Sequence, residues 1–258
     1  MQIDLCLGDC LELMQDVKDK SIDMILCDLP YGITQLEWDK VIPFKPLWEQ
    51  YKRIAKPNAA IVLFSQMPFG AELIMSNRKM FRYEIVWYKT SPGDFLNCRR
   101  KPLKIHENIL VFYGALPTYN PQMTPAKYYR RRGGVESEWS IYHHIKHPVI
   151  SEYSSRHPTD VITFSNHNGA LWGKTDKVIK HGTSKPVDLL EYLIRTYTNP
   201  GDLVLDNCMG SGSTAVACVN TNRDFIDMEI MPDFYSIAQD RVEKAKQALT
   251  ERLPMEIN

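Results

Sequence analysis

Two short segments of the sequence combine residue types that could act on a bound ligand. The first is CDLPYGIT at 27–34, which follows an apolar run and places the carboxylate of Asp28 three residues before the ring of Tyr31. Pro30 and Gly32 favour a turn at this point. Because ligands bind outside the carboxyl ends of strands in open α/β sheets, the pattern indicates a candidate site. A capping Asp in an ordinary turn is the alternative.

The second segment is DNCMGSGST at 206–214, which joins a strand-like run to a helical pattern from about Thr214. Small residues at such a turn let a ligand approach the backbone, and the first N–H groups of the helix are available to bind it. The next strand-like run ends at Glu229, whose carboxylate could accept hydrogen bonds from ribose hydroxyls. This layout favours a nucleoside cofactor, with a solvated strand end as the alternative for Glu229.

The glycines of the second segment do not form a dinucleotide fingerprint. Gly210 and Gly212 match the first half of G-x-G-x-x-G, but Ala215 stands where the third glycine is required. No Walker lysine follows either. The sequence therefore disfavours a dinucleotide oxidoreductase.

Alternating strands and helices would position both segments. Apolar runs rich in Val, Ile, Leu and aromatic residues predict strands, and apolar residues at helical spacing predict helices between them. The predicted strands are 2–7, 22–27, 60–64, 83–88, 108–113, 203–207 and 224–228, and the predicted helices 45–55, 69–78, 186–198 and 232–249. This alternation predicts an α/β fold with a mostly parallel, seven-stranded sheet and helices on both faces.

The middle of the chain differs from the rest in composition and charge. Residues 115–180 are rich in Pro, Gly, Tyr, His and Arg and predict an irregular insertion between a first half, 1–114, and a last part, 181–258. The chain has no net charge, yet 89–185 holds fifteen Lys and Arg, seven Asp and Glu, and all seven His. A concentrated basic stretch suits a nucleic acid, although a solvated basic face has the same composition.

Composition also disfavours several classes of protein. No apolar run approaches the roughly 18 residues that span a bilayer, and the N-terminal stretch lacks the pattern of a signal peptide, so we expect a cytoplasmic protein. The six cysteines form no C-x-x-C pair and predict free thiols. His143, His144 and His147 lack a thiolate or carboxylate frame, so we expect no metal site.

Taken together and in this order, the segments resemble the β class of amino-directed DNA methyltransferases, including small phage and prophage members. In that family a D-P-P-Y-type tetrad comes first, a target-recognition region follows, and the motif for S-adenosylmethionine (SAM) comes last. The matching stretches are DLPY at 28–31, DNCMGSGST at 206–214, LGDCLEL at 7–13, HGTSKP at 181–186, VWYK at 86–89 and KIHENILVFY at 104–113. The chain departs from the family pattern at Leu29, Asn207, Cys208, Gly182 and Ser184.

The resemblance implies a SAM-dependent methyltransferase fold and methyl transfer to the N6 amino group of adenine in double-stranded DNA. N4 of cytosine is the alternative. Asp28 and the backbone carbonyl of Leu29 would accept the amino hydrogens, and Pro30 would bias Leu29 toward an extended conformation. Tyr31 would stack on the extruded base. These four are the predicted catalytic residues.

The resemblance also implies a SAM pocket, in which Asp9 contacts the adenine and Glu229 the ribose. A helix N-cap is the alternative for Asp9, and a surface charge for Lys185. We expect Trp38 and Trp87 in the core. The predicted cofactor-binding residues are Asp9, Cys10, Asp28, Thr183, Ser184, Lys185, Pro186, Asp206, Asn207, Met209, Gly210, Ser211, Gly212, Ser213, Thr214, Glu229 and Ile230.

The basic middle is the predicted DNA-binding surface. Its candidate residues are Arg99, Arg100, Lys101, Lys104, Lys127, Tyr128, Tyr129, Arg130, Arg131 and Arg132. Most such contacts position a protein on phosphates without reading sequence. The family implies a homodimer. There are two rival hypotheses. One is an RNA methyltransferase of the same fold, and the other is a nucleic-acid-binding protein that has lost catalytic activity.

Overall fold

Strands and helices alternate along most of the chain in the computed structural model, which describes residues 3–36, 38–132, 150–166 and 184–252. Within these ranges the strands are β1 Ile3–Leu7, β2 Ile22–Cys27, β3 Ala55–Ser65, β4 Phe81–Gly93, β5 Lys104–Phe112, β6 Thr124–Arg132, β7 Ile150–Arg156, β8 Val161–Phe164, β9 Leu203–Asp206 and β10 Asp224–Glu229. The helices are α1 Cys10–Leu13, α2 Phe44–Ile54, α3 Phe69–Ser76, α4 Val187–Tyr197, α5 Ser213–Thr221 and α6 Pro232–Arg252.

Eight of these strands form one mixed sheet in the order β1-β10-β9-β2-β3-β5-β4-β8. Among them β5 runs antiparallel to its neighbours β3 and β4, and the other pairs are parallel. All seven predicted strands are present. The expected count of seven is nevertheless wrong, because Val161–Phe164 pairs with β4 at the edge of the sheet. This strand has four residues and lies in the stretch predicted to be irregular.

Helices cover both faces of the sheet, as the sequence predicts. Successive side chains of β2 point to opposite faces: Met24 packs in the cluster with α4, α5 and α6, and Ile25 in the cluster with α2 and α3. Leu193 and Tyr51 are fully buried representatives of the two helical layers. Among the described residues, no helix is both long and apolar enough to cross a membrane.

Residues Pro121–Thr159 form a compact unit of their own. Its strands β6 and β7 pair antiparallel, from Thr124 opposite Arg156 to Arg132 opposite Ile150. The unit lies within the predicted insertion 115–180 but is narrower, because residues up to Asn120 and from Asp160 belong to the larger unit. It contains a strand pair where the sequence predicts irregular structure.

Two acidic residues are buried on neighbouring strands of the sheet. Asp206 of β9 and Asp227 of β10 are partners in the parallel register, and both are buried. Burial raises the pKa of Asp206 to about 6. Burial, together with the charge of Asp206, raises the pKa of Asp227 well above its ordinary range. Between about pH 4, where an unfolded Asp releases its proton, and the raised pKa values of the folded state, the folded chain therefore binds a proton here that the unfolded chain does not.

Asp227→Asn is expected to make stability less sensitive to pH. A carboxyl with a raised native pKa binds its proton in the folded state up to that pKa, whereas the unfolded chain loses it above about pH 4. The free energy of unfolding therefore falls as pH rises through this window, and a neutral amide removes that loss. Thermal unfolding between about pH 5 and about pH 8 measures it. The exposed Asp240→Asn is the control, and equal pH responses of the unaltered chain and Asp227→Asn would contradict the expectation.

Candidate active site

The two predicted segments lie at the same edge of the sheet. Because β2 pairs in parallel with β9, Asp28 just beyond β2 and Asp206 at the end of β9 leave the sheet side by side. The neighbouring strands β10 and β1 bring Glu229 and Asp9 to this edge as well. A cavity of about 930 Å³ opens here and is lined by residues from all four strand ends. The volume is that of a typical small-molecule site.

Most of the predicted catalytic and cofactor-binding residues line this cavity. They are Asp9, Cys10, Asp28, Leu29, Pro30, Tyr31, Ser184, Lys185, Asp206, Asn207, Met209, Gly210, Ser211, Ser213, Thr214, Glu229 and Ile230.

Three predicted cofactor-binding residues are not among the lining residues. Pro186 is buried as the N-cap of α4. Gly212 has φ +76° and faces α6, where a Cβ would lie 2.7 Å from the Cβ of Ala238, so its role is to let the helix approach. Thr183 lies outside the described residues.

The Asp28 carboxylate is held from two sides. The Tyr31 hydroxyl donates to Asp28 Oδ1 at 2.6 Å, and the Lys185 ammonium forms an ion pair with Oδ2. The Tyr31 ring packs against Phe69 with centroids 5.0 Å apart. The Asp28 side chain keeps 30% of its surface exposed. Because a carboxylate offers about four lone-pair positions, Asp28 can accept further hydrogen bonds from a group in the cavity.

Lys185 is buried between two carboxylates. Beyond Asp28, its Nζ lies 3.5 Å from Glu107 Oε2, and Glu107 also pairs with Lys89. Burial disfavours the charged ammonium, but Asp28 and Glu107 outweigh it and raise the pKa of Lys185. Burial likewise disfavours the Glu107 carboxylate, yet Lys185 and Lys89 hold its pKa below the usual value. Lys185 is thus a buried cation beside Asp28, and the surface-charge alternative is wrong.

Glu229 shapes the glycine turn as well as lining the cavity. Its Oε2 accepts a hydrogen bond from the Gly210 N–H at 2.8 Å, and its Oε1 accepts one from the Met231 N–H at 2.8 Å. The residue is only 7% exposed, so a solvated strand end is excluded. Burial raises the pKa of Glu229, while these hydrogen bonds lower it in part. Each oxygen retains lone-pair capacity for a ligand hydroxyl.

The other polar residues of the turn hold its shape. Asp206 accepts hydrogen bonds from the Cys208 N–H at 3.0 Å and the Thr214 hydroxyl at 2.6 Å. The Tyr51 hydroxyl of α2 donates to Asn207 Oδ1 at 2.6 Å. Side chains of the turn itself and of α2 therefore hold the turn from β9 to α5 in shape.

Asp9 is a helix N-cap, as one interpretation expects, and its contact with the SAM adenine stays a prediction. Its Oδ1 accepts a hydrogen bond from the Leu11 N–H at 2.7 Å, which caps α1, and the residue also lines the cavity. Capping fixes the orientation of the carboxylate at the cavity wall.

Another buried acid, Asp39, organises the loop after the tetrad. Its carboxylate accepts hydrogen bonds from the N–H groups of Gly32, Ile33 and Thr34 at 2.8, 3.0 and 2.7 Å, and from the Thr34 hydroxyl. Burial opposes ionisation of Asp39, but these bonds lower its pKa below the usual value. The loop that borders the cavity is therefore fixed by one carboxylate.

Aromatic residues complete the cavity wall in a way that the sequence predicts only in part. Trp87 is buried, as expected, and also borders the cavity. The core expectation for Trp38 is wrong: it is partly exposed, lines the cavity and makes an edge contact with Phe234 of α6 at 6.4 Å. The contact joins the loop after the tetrad to the last helix.

Sequence reasoning missed the polar residues that support the site. Lys89, Glu107 and Asp39 all line the cavity, and none was a candidate. The one available signal was that Lys89 and Glu107 lie in VWYK (86–89) and KIHENILVFY (104–113), two of the stretches that resemble the family.

The predicted DNA-binding residues fall into two groups, one in each compact unit. Arg99, Arg100 and Lys101 are exposed on the loop between β4 and β5, and Lys104 lines the cavity and donates to Gln66. In the smaller unit Lys127 is exposed, and Tyr128, Tyr129, Arg130, Arg131 and Arg132 follow it along β6. DNA contact by these residues stays a prediction.

Metal ligands are not assembled in the part of the chain that the structure describes. No group of three or more His, Cys, Asp or Glu residues there could hold a metal ion. His143, His144 and His147 lie outside the described residues.

Comparison with known proteins identifies the class of protein. The family model described as DNA methylase, for N6- and N4-directed enzymes, matches residues 22–240. The chain therefore belongs to the N6/N4 DNA methylase family. These enzymes depend on SAM, and the arrangement here fits it: a small-residue turn before a helix, an oriented carboxylate at Glu229, and a cavity that continues to Asp28.

Curated relatives and solved structures resemble the chain over most of its length. A Type II methyltransferase, M1.MboII of Moraxella bovis, is 25% identical over 89% of this chain and 92% of its own length. The DNA adenine methyltransferase YhdJ of Escherichia coli K12 is 25% identical over 95% of this chain and 84% of its own. The PvuII DNA methyltransferase (cytosine-N4-specific) shares the fold, with a TM-score of 0.66 and 15% identity over 97% of this chain and 92% of its own.

Lys185→Met is expected to destabilise the chain by about 2–3 kcal/mol, because it leaves Asp28 and Glu107 as neighbouring carboxylates without their shared cation. The loss of stability stays below that of a fully isolated buried charge, because Asp28 is partly exposed and Glu107 keeps its ion pair with Lys89. Urea unfolding measures it. The control is Lys244→Met, which removes an exposed ion pair with Asp240 and should cost less than about 1 kcal/mol. Equal losses for the two variants would argue against a structural role of the buried cation.

Proposed function

We propose that this chain transfers a methyl group from SAM to the N6 amino group of adenine in double-stranded DNA. The observation that carries the proposal is the Asp28 carboxylate, oriented by Tyr31 and Lys185 at one end of a cavity whose other end has the SAM-type turn. Family members whose tetrad begins with Asp more often modify adenine. N4 of cytosine is the alternative substrate, and the shared fold with the PvuII enzyme keeps it open.

The chemistry required of the protein is to make a poor nucleophile reactive. The lone pair of an exocyclic amino group is delocalised into the ring, and two acceptors aimed at its hydrogens would localise it. Asp28 and the Leu29 carbonyl are proposed as those acceptors, and they also stabilise the positive charge that develops on nitrogen. When bound, SAM supplies an electrophilic methyl group on a sulfonium.

Lys185 is proposed to hold the Asp28 carboxylate in position for this task. Its ammonium pairs with Asp28 Oδ2 and fixes the orientation of the carboxylate at the cavity. Glu107 pairs with the same ammonium and holds it beside Asp28. Asp28 therefore acts on the substrate, and Lys185 positions it.

DNA is proposed to contact the basic loop between β4 and β5 and the unit Pro121–Thr159, which would carry target recognition. The exposed cations of both parts suit phosphates. A homodimer is the proposed assembly, on family grounds.

The experiment that tests the reaction identifies the labelled nucleoside. Purified protein is incubated with SAM labelled in the methyl group and with unmethylated genomic DNA, which is then digested to nucleosides and separated. We expect labelled N6-methyladenine, and sequencing of the methylated DNA then maps the site. Labelled N4-methylcytosine would make cytosine the target base and leave the proposed mechanism unchanged. A parallel reaction offers total RNA in place of DNA, and label in RNA but not in DNA would overturn the substrate.

Asp28→Ala is expected to slow methyl transfer by at least about 10²- to 10³-fold, because it removes a charged acceptor aimed at the reacting amino group. SAM affinity, measured by calorimetry, should fall far less than turnover, because Asp28 is only one of the predicted SAM contacts and the substitution leaves Glu229 and the turn from β9 to α5 in place. The control is Asp240→Ala, an exposed acid on α6. Near-normal turnover of Asp28→Ala would contradict the catalytic assignment.

A further inference from the structure

The loop between β4 and β5 presents two adjacent large apolar side chains to solvent. Phe95 is 72% exposed and Leu96 is 84% exposed. Isolated apolar residues on a surface are common, but two neighbours at the tip of one loop bury little of their surface in the fold. Packing in the core therefore does not account for this pair. The loop tip, residues 94–97, is a candidate contact surface.

The tip is a closed turn built on Asp94. The Asn97 N–H donates to the Asp94 carbonyl at 3.0 Å, and the Asn97 amide donates to Asp94 Oδ1 at 2.6 Å. Lys101 forms an ion pair with the other carboxylate oxygen at 2.5 Å. The backbone of Asp94 is left-handed, with φ +65°, and Phe95–Asn97 form a short 3₁₀ helix. The two apolar side chains are thus displayed by an internally bonded turn.

The tip begins where the active-site cavity ends. Gly93 and Asp94, immediately before Phe95, line the same cavity as Asp28, and so does Lys104 beyond the loop. The apolar pair is therefore the next feature of the chain after the cavity rim.

Three exposed cations follow the apolar pair along the same loop. Arg99 and Arg100 are exposed and make no ion pair within the part of the chain described, and Lys101 is 59% exposed on its side chain. The one acid of the loop, Asp94, is already paired with Lys101. An apolar tip among cations is complementary to a duplex, which has apolar base faces inside and phosphates outside.

We propose that Phe95 and Leu96 form a wedge that enters the base stack of DNA as the target base turns into the cavity. The inference rests on the proposed function, because a target amino group inside a duplex reaches Asp28 only after the base is extruded. Extrusion leaves a gap in the stack, and an apolar side chain that fills it recovers part of the lost stacking. Arg99 and Arg100 would hold the flanking phosphates.

The test compares two duplexes that contain the mapped site, one with the target base paired and one with an abasic site opposite it. In single-turnover reactions, Phe95→Ala/Leu96→Ala is expected to methylate the paired duplex about 10- to 100-fold more slowly than the unaltered chain. On the unpaired target, which needs little help to leave the stack, the two rates should agree within about threefold. Met75→Ala on α3, 68% exposed and away from the cavity lining, is the control and should leave both rates unchanged.

Salt dependence separates the wedge from the cations beside it. The measured quantity is the slope of log affinity for DNA against log salt concentration. It should be unchanged in Phe95→Ala/Leu96→Ala. In Arg99→Ala/Arg100→Ala its magnitude should fall by about two, one for each lost phosphate contact. Normal turnover of the wedge variant on paired DNA, or an equal loss on both duplexes, would overturn the wedge. Failure of the unaltered chain to label either duplex would overturn the proposed function itself.

Discussion

Parallel pairing between β2 and β9 joins two parts of the chain that are about 180 residues apart, and the active site depends on it. Asp23 of β2 reinforces the junction: it accepts a hydrogen bond from the Leu203 N–H at 3.0 Å and pairs with Lys56 of β3 at 2.6 Å. Because parallel strands leave a sheet at the same edge, this one adjacency places Asp28 beside the turn from β9 to α5. The proposed SAM side and the proposed substrate side of the cavity therefore meet because these two strands are neighbours.

Two further polar contacts join the same two parts of the chain at the cavity. Lys185 precedes α4 in the last third of the chain yet pairs with Asp28 and Glu107 from the first half. The Tyr51 hydroxyl reaches Asn207 in the same way, across 156 residues. Buried charges and buried polar groups are costly unless they are paired, so each contact helps to select one arrangement of the two halves. The groups that support the chemistry also hold the halves together.

Sequence patterns predicted the strands and helices that have a local apolar period. They did not predict side-chain contacts between residues that are distant in the sequence. Strands such as β2 and β3 and the helix α4 were recognised because apolar spacing is a local property. The strand Val161–Phe164 was missed because four residues at a sheet edge have almost no period. Asp39 and Glu107 were missed for a different reason: their partners come from turns and strands that only the folded chain brings together. Trp38 was assigned to the core because an aromatic residue alone does not show which surface it faces.

The compact unit Pro121–Thr159 begins and ends at positions held by the larger unit. The Asn120 N–H donates to the Thr196 carbonyl at 2.8 Å, and the Asp160 carbonyl accepts from the Val86 N–H at 2.7 Å. With both attachment points bonded to the core, the intervening segment can change in length at small entropic cost, since closure entropy grows only with the logarithm of length. Recombination between related genes could therefore exchange this segment as a block and leave the strand ends that line the cavity unchanged. With the role proposed for this unit, such an exchange would change the DNA target and keep the chemistry.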